Sequence, residues 1–143
     1  MPESKAQVKL KVDGYKERDV ADVSYSFYQT TDKEGQPTGI PRGGKIVITA
    51  KALNDGNCEL LNWMIEKSLA KNGLIEYMNH EGKKMKEVKF KGAYCVNFVE
   101  MWKDQTKYDA KEENGRDIVY TEQITITCKE ISNQSVNYNN EWA

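Results

Sequence analysis

Apolar and polar residues alternate with a period of two along most of this chain, which predicts strands with one dry and one wet face. Val8, Leu10 and Val12 alternate with Lys9 and Lys11. After the turn pair Asp13-Gly14, the pattern predicts a second strand running from about Val20 to Thr30. Val23, Tyr25 and Phe27 share one of its faces, and Ser24, Ser26 and Tyr28 the other. A third strand is predicted over Lys45 to Leu53, where Ile46, Ile48, Ala50 and Ala52 alternate with Val47, Thr49 and Lys51.

The period then changes. Between Cys58 and Lys71, Leu61, Met64 or Ile65, and Ser68 or Leu69 recur at helical spacing, with Glu59, Asn62, Glu66, Lys67 and Lys71 mostly opposite. Leu60 and Trp63 widen the apolar stripe, so this helix is expected to be covered on more than one flank. Asn54-Asp55-Gly56-Asn57 precedes it as a turn and cap cluster, and Asn72-Gly73 reads as its stop. Strand patterns return at Leu74 to Met78, at Lys84 to Lys91 after a turn near Glu81-Gly82, and at Ala93 to Met101, with a break or bulge at Gly92. Tyr94, Val96 and Phe98 fall on one parity. A polar stretch from Lys103 to Asp117 precedes the last strand, in which Ile118, Tyr120, Ile124, Ile126 and Cys128 alternate with polar partners. The final residues, SNQSVNYNNEWA, read as a loose polar tail in which only Tyr138 and Trp142 offer anchors.

Strands joined by turns form largely antiparallel sheets. One amphipathic helix cannot cover so many dry faces, so the sheets must cover each other. The predicted fold is mainly β: a partly closed antiparallel β-barrel of two sheets with one flanking α-helix. We expect a single domain over residues 1–131 and the tail over 132–143.

The interruption between the second and third strands, TTDKEGQPTGIPRGGK, stands apart from this pattern. Hairpin loops usually run about two to five residues, and much longer ones are mostly functional or disordered. Its glycines lack the order of a phosphate-binding loop. The mixed charge of Asp32, Lys33, Glu34 and Arg42, with Gly35, Gly43 and Gly44, suits a projecting arm that touches a partner. A solvated connector is the plain alternative.

Composition narrows the function classes. The 143 residues carry 21 basic and 22 acidic side chains, a formal charge of -1, which argues against a bulk electrostatic grip on nucleic acid or an acidic membrane. No apolar run approaches the ~20 residues of a membrane span, and the N-terminus MPESKAQVKLKV has no secretory hydrophobic segment. Folding in the cytoplasm is therefore expected. Cys58, Cys95 and Cys128 are odd in number, widely spaced and set in apolar contexts, and read as reduced packing residues. Nothing assembles into catalytic chemistry. His80 is the one histidine and sits in a turn, no GxSxG or CxxC occurs, and the carboxylates lie among lysines, as in Lys111-Glu112-Glu113. We expect no enzyme, cofactor or metal. The strand aromatics Tyr25, Phe27, Tyr94 and Phe98 are read as core and not as base-stacking platforms, since no basic groove accompanies them.

The lysine-flanked first strand, SYSFYQTTDKEGQPTG, IPRGGKIVIT, the helix ELLNWMIEKSLAKN, KFKGAYCVNFVEMW and the closing YTEQITITCKEI together resemble the haemolysin-coregulated protein (Hcp, TssD) family, the tube proteins of type VI secretion, in its divergent branch. The resemblance spans about residues 5 to 131 and rests on order along the chain and on the Asp32–Gly44 region. It implies a subunit whose homohexameric rings stack into a hollow tube, driven out by a contractile sheath together with a spike and carrying effectors. Secretion would then need no signal peptide, and the tube would neither insert in membranes nor bind nucleic acid. The long loop, with Asp32, Lys33, Glu34, Gly35, Arg42, Gly43 and Gly44, would reach the adjacent ring. A monomeric barrel holding a small ligand is the competing reading.

Overall fold

A computed structural model of the chain describes residues 6–39, 42–53, 55–106 and 116–140. Among these residues, eight strands and one helix follow in the order β1 (Gln7–Val12), β2 (Arg18–Tyr25), β3 (Lys45–Lys51), α1 (Glu59–Ile65), β4 (Lys71–Met78), β5 (Lys84–Thr106), β6 (Arg116–Thr127), β7 (Glu130–Asn133) and β8 (Val136–Asn139). Every pairing between these strands is antiparallel. The first six close into a barrel, β1–β2–β3–β6–β5–β4 and back to β1. Closure at β1–β2 is narrow, with only Lys9 against Asp19 and Leu10 against Arg18 in register.

Period-two alternation places the core where the pattern predicts it. Ile46, Ile48 and Ala50 on β3, Ile124 and Ile126 on β6, and Val88 and Phe90 on β5 are buried, and they meet Leu10 and Ile75 from the opposite wall. Each of these side chains larger than alanine contributes roughly 1.5–3 kcal/mol through loss of water contact. Filled this way, the barrel interior is a core and not a ligand chamber, which disfavours the small-ligand reading.

β5 shows how one strand can belong to two sheets. Its first half pairs with β4 and β7, and from Tyr94 onward it pairs with β6. The hand-over falls at Gly92, whose φ of 59 turns the strand without ending it. The expected break is thus a bend. A register shift between Cys95 and Asn97 then reverses the parity expected beyond it. Cys95 is buried and Phe98 packs on the core, while Val96 faces out.

Other expectations are corrected. The helix is half the expected length: Glu66 already has extended backbone (φ -70, ψ 113), and the chain turns back through Ser68 at φ 59. The Trp63 indole N–H donates to the Leu69 carbonyl at 3.0 Å, tying the returning chain under the helix. Asn72-Gly73 stops no helix but lies in β4, with Gly73 opposite Val12. A side chain at Gly73 would press on the Lys11 carbonyl and the Phe90 ring, so glycine serves close strand approach there. β2 ends at Tyr25, five residues before the predicted end. Residues 132–140 of the expected tail are ordered, since β7 lies against β5 at Val88–Lys91 and β8 folds back on β7. The middle of the second polar stretch, residues 107–115, and Trp142 lie outside the described residues.

Cys95 and Cys128 are buried as expected, but Cys58 is exposed. It sits just before the helix, where its neighbour Asn57 supplies the cap by accepting the Glu59 N–H at 2.9 Å. Burial pushes the Cys95 thiol up to about 11 and Cys128 up to about 12, against an ordinary 9.0.

Candidate functional site

The long interruption is a built arm. Beyond Tyr25 the chain continues almost as a strand: Tyr28 and Arg42 exchange both backbone hydrogen bonds, at 2.8 and 2.6 Å. The Thr38 N–H donates to the Thr30 carbonyl at 2.8 Å, the Thr30 and Thr38 hydroxyls lie 2.7 Å apart, and Thr31 bridges Pro37. A tight turn closes the tip, where the Asp32 N–H donates to the Gln36 carbonyl at 2.9 Å and Gly35 takes φ 85. Residues 26–39 and Arg42 are all exposed, so the arm adds little to the core.

The residues singled out from sequence separate into three roles. At the tip, Asp32 is occupied locally: one carboxylate oxygen accepts the N–H groups of Glu34 and Gln36 at 2.9 and 3.0 Å. It shapes the turn that displays Lys33 and Glu34. On the stem, Arg42 is exposed and, among the described residues, has no acidic partner. At the base, Gly43 and Gly44 are structural. Gly44 is buried at φ 87, and a Cβ there would meet the Asn140 amide and lie 3.0 Å from the Cys128 carbonyl. A Cβ on Gly43 would strike the Phe27 ring.

The C-terminal hairpin grips this base. The Asn140 amide donates to the carbonyls of Cys128 at 2.7 Å and Gly43 at 3.3 Å. The Tyr138 ring packs on Phe27 at 4.8 Å, and Phe27 meets Tyr25 edge-on at 6.1 Å. The Tyr25 hydroxyl is hydrogen-bonded to Asn133 on β7. The sequence reads as a loose tail from residue 132, whereas Asn133, Tyr138 and Asn140 hold the base of the arm. The spacing of Ile131, Asn133 and Tyr138 carried a faint strand signal.

A second feature missed in the sequence lies at the other end of the same sheet. β5 and β6 run on together past the core, and large side chains of β5 are exposed there: Val99 at 40% and Met101 at 46% on one face, Trp102 at 60% on the other. The Trp102 ring meets Tyr120 edge-on at 5.3 Å. One chain thus carries an arm at one end of the β2–β3–β6–β5 sheet and an apolar ribbon at the other.

A family model described as hemolysin coregulated protein Hcp (TssD) matches residues 4–143 of the chain. Among solved structures, Hcp1 from Flavobacterium johnsoniae superposes with a TM-score of 0.75 at 31% identity, covering 94% of this chain and 99% of that one. Hcp1 from the E. coli EAEC 042 pathovar gives 0.67 at 13% identity over 97% and 99% of the two chains, and so shares the fold. A chain of the PVC sheath–tube complex, an extracellular contractile injection system in its extended state, shares it at 0.51, with 20% identity over 95% and 92%. A comparison with curated protein sequences finds no match.

Proposed function

The chain belongs to the hemolysin coregulated protein (Hcp, TssD) family of type VI secretion tube proteins, and from that premise we propose how it assembles. Six copies close into a ring, and rings stack into the hollow tube that a contractile sheath expels with its spike and effectors. Assembly takes place in the cytoplasm, and the subunit leaves through the apparatus without a signal peptide. Among the described residues, no helix is long and apolar enough to cross a membrane.

One observation carries the ring: the β2–β3–β6–β5 sheet has two free edges. β1 reaches β2 only at Arg18 and Asp19, so Val20–Tyr25 has no strand on the side away from β3 among the described residues. On β5, Val96–Trp102 likewise has no strand on the side away from β6 among the described residues. Free edges are templates for pairing with another chain. The two edges are different surfaces at opposite margins of one sheet, so joining them is a head-to-tail contact that closes a ring when the rotation closes.

Between rings, the arm reaches the next layer. Lys33, Glu34 and Arg42 face the neighbour across the seam, Asp32 and Gly35 shape the tip, and Gly43 and Gly44 set the angle at which the arm leaves the barrel. Light scattering on the purified protein tests the reading. Six copies of 16.4 kDa give a particle of about 98 kDa with a central hole in negative stain. A monomer at micromolar concentration in physiological salt overturns it.

A further inference from the structure

The apolar ribbon at one end of the sheet has a counterpart at the other. Between the end of β2 and the β7–β8 hairpin lies a groove of about 530 Å³, walled by Tyr25, Phe27, Ile131, Val136 and Tyr138. The side chains that line it carry no charge, and Val136 at its rim is 69% exposed. A concave, uncharged and mostly apolar groove is the kind of site an aromatic side chain fills. We propose that the Trp102–Tyr120 ribbon of one copy seats in the Tyr25–Phe27–Tyr138 groove of a copy in the adjacent ring.

Geometry makes the partner a second copy and the contact axial. Tyr120 and Trp102 pair across the β5–β6 ladder, while Thr127 of the same β6 lies against Lys45, at the Tyr25 end. Seven residue steps along β6 at about 3.3 Å each separate the two surfaces by about 23 Å. No chain can bring its own ribbon to its own groove, whereas stacked copies present one to the other at every junction. Edge pairing within a ring sets like ends at like heights, so it leaves both surfaces free for the next layer.

Charge agrees with this docking. Trp102 is flanked on its own face by Glu100, whose carboxylate faces the Tyr120 hydroxyl and has no cationic partner among the described residues. The groove end carries Arg42 and Lys45, exposed and without acidic partners among those residues. An uncharged groove admits the indole without stripping water from an ion, and the flanking charges of opposite sign fix the register.

The inference rests on the tube reading, and the test separates the two. In a Cys58→Ser background, a Trp102→Cys batch is mixed with a Val136→Cys batch at concentrations that favour tubes, then oxidised mildly. A disulfide-linked dimer containing one chain of each batch supports the contact. Tubes that form without that dimer overturn it and leave the tube reading standing, while protein that stays monomeric overturns both. In parallel, Trp102→Ala is expected to leave rings intact and to raise the concentration needed for stacking at least about tenfold. Stacking at the unchanged concentration refutes the role of the indole.

Discussion

Arg18 at the start of β2 and Glu122 in the middle of β6 form a buried ion pair, Nη1 to Oε1 at 2.6 Å, between residues 104 positions apart. Both side chains are almost wholly inaccessible. The guanidinium also donates to the Lys51 carbonyl at 3.3 Å and to the Asn57 side chain at 3.1 Å. Asn57 in turn caps the helix. One arginine therefore ties the narrow β1–β2 closure to β6 and to the helix start.

Breaking this pair by removing one partner strands a charge in the core. Arg18→Met or Glu122→Leu alone is expected to lower unfolding free energy by about 3–5 kcal/mol in urea titration. The double substitution is expected to recover more than half of that loss, because no unpaired charge remains. Additive losses would mean that the two groups act independently.

The three thiols should divide by burial. At pH about 8, where an ordinary thiol is partly ionised, a thiol reagent is expected to label Cys58 quickly and to leave Cys95 and Cys128 unmodified until denaturant is added. Burial holds these two up at about 11 and 12, so they present almost no thiolate. Rapid native labelling of more than one site per chain would contradict the packing described.

Acid should loosen the outer face of the β1–β4–β5 wall. Lys11 lies 2.7 Å from Glu76 and Lys84 2.9 Å from Glu87. Hydrogen bonding from those lysines holds both carboxyls below the ordinary 4.5, against the opposing effect of burial. Groups lowered on folding contribute stability that is complete above 4.5 and is lost as pH falls through their folded values. Melting temperature should therefore hold steady from neutrality down to that point and drop below it. Solvent-screened pairs of this kind add little stability, so Lys11→Met with Lys84→Met should flatten the drop without unfolding the protein. An unchanged acid slope in that variant would assign the drop to other carboxyls.

Arm and base should come apart. Replacing residues 30–39 with a two-residue turn removes only exposed side chains, so cooperative melting is expected to persist while rings no longer stack. Arg42→Glu should weaken stacking less. Gly44→Ala acts on the base and is expected to cost about 1–3 kcal/mol, since φ 87 strains any Cβ and the Asn140 side chain already occupies the space. Long tubes from the shortened protein would reduce the arm to a connector.

Period-two alternation was enough to read most strands and most of the core, because a sheet sends successive side chains to opposite faces wherever the strand lies. Ile46, Ile48, Ile124, Ile126 and Cys128 were legible for that reason, whereas Cys95 was legible only from its apolar neighbours. The arm was legible too, because a long polar, glycine-rich bridge between strands cannot join a core. The helix end, the parity beyond Val96 and the partners of β5 were not, since a bulge, a bend at Gly92 and the Trp63–Leu69 bond act through contacts distant in sequence.

The pair Arg18–Glu122 shows the same limit from the other side. Glu122 sits on the apolar parity of β6, a visible anomaly between Tyr120 and Ile124, but only the closed barrel supplies the cation that makes its burial tolerable. The tail was misread because four-residue strands gain stability only from the sheet they join, here β5 and the base of the arm. Sequence alone determined most strand faces, most of the core and the exposed arm, because those follow from the local pattern of polar and apolar residues. Tertiary structure alone decided which edges stay free and where the groove and ribbon lie, because these depend on how distant strands pair and where the sheet outruns its core.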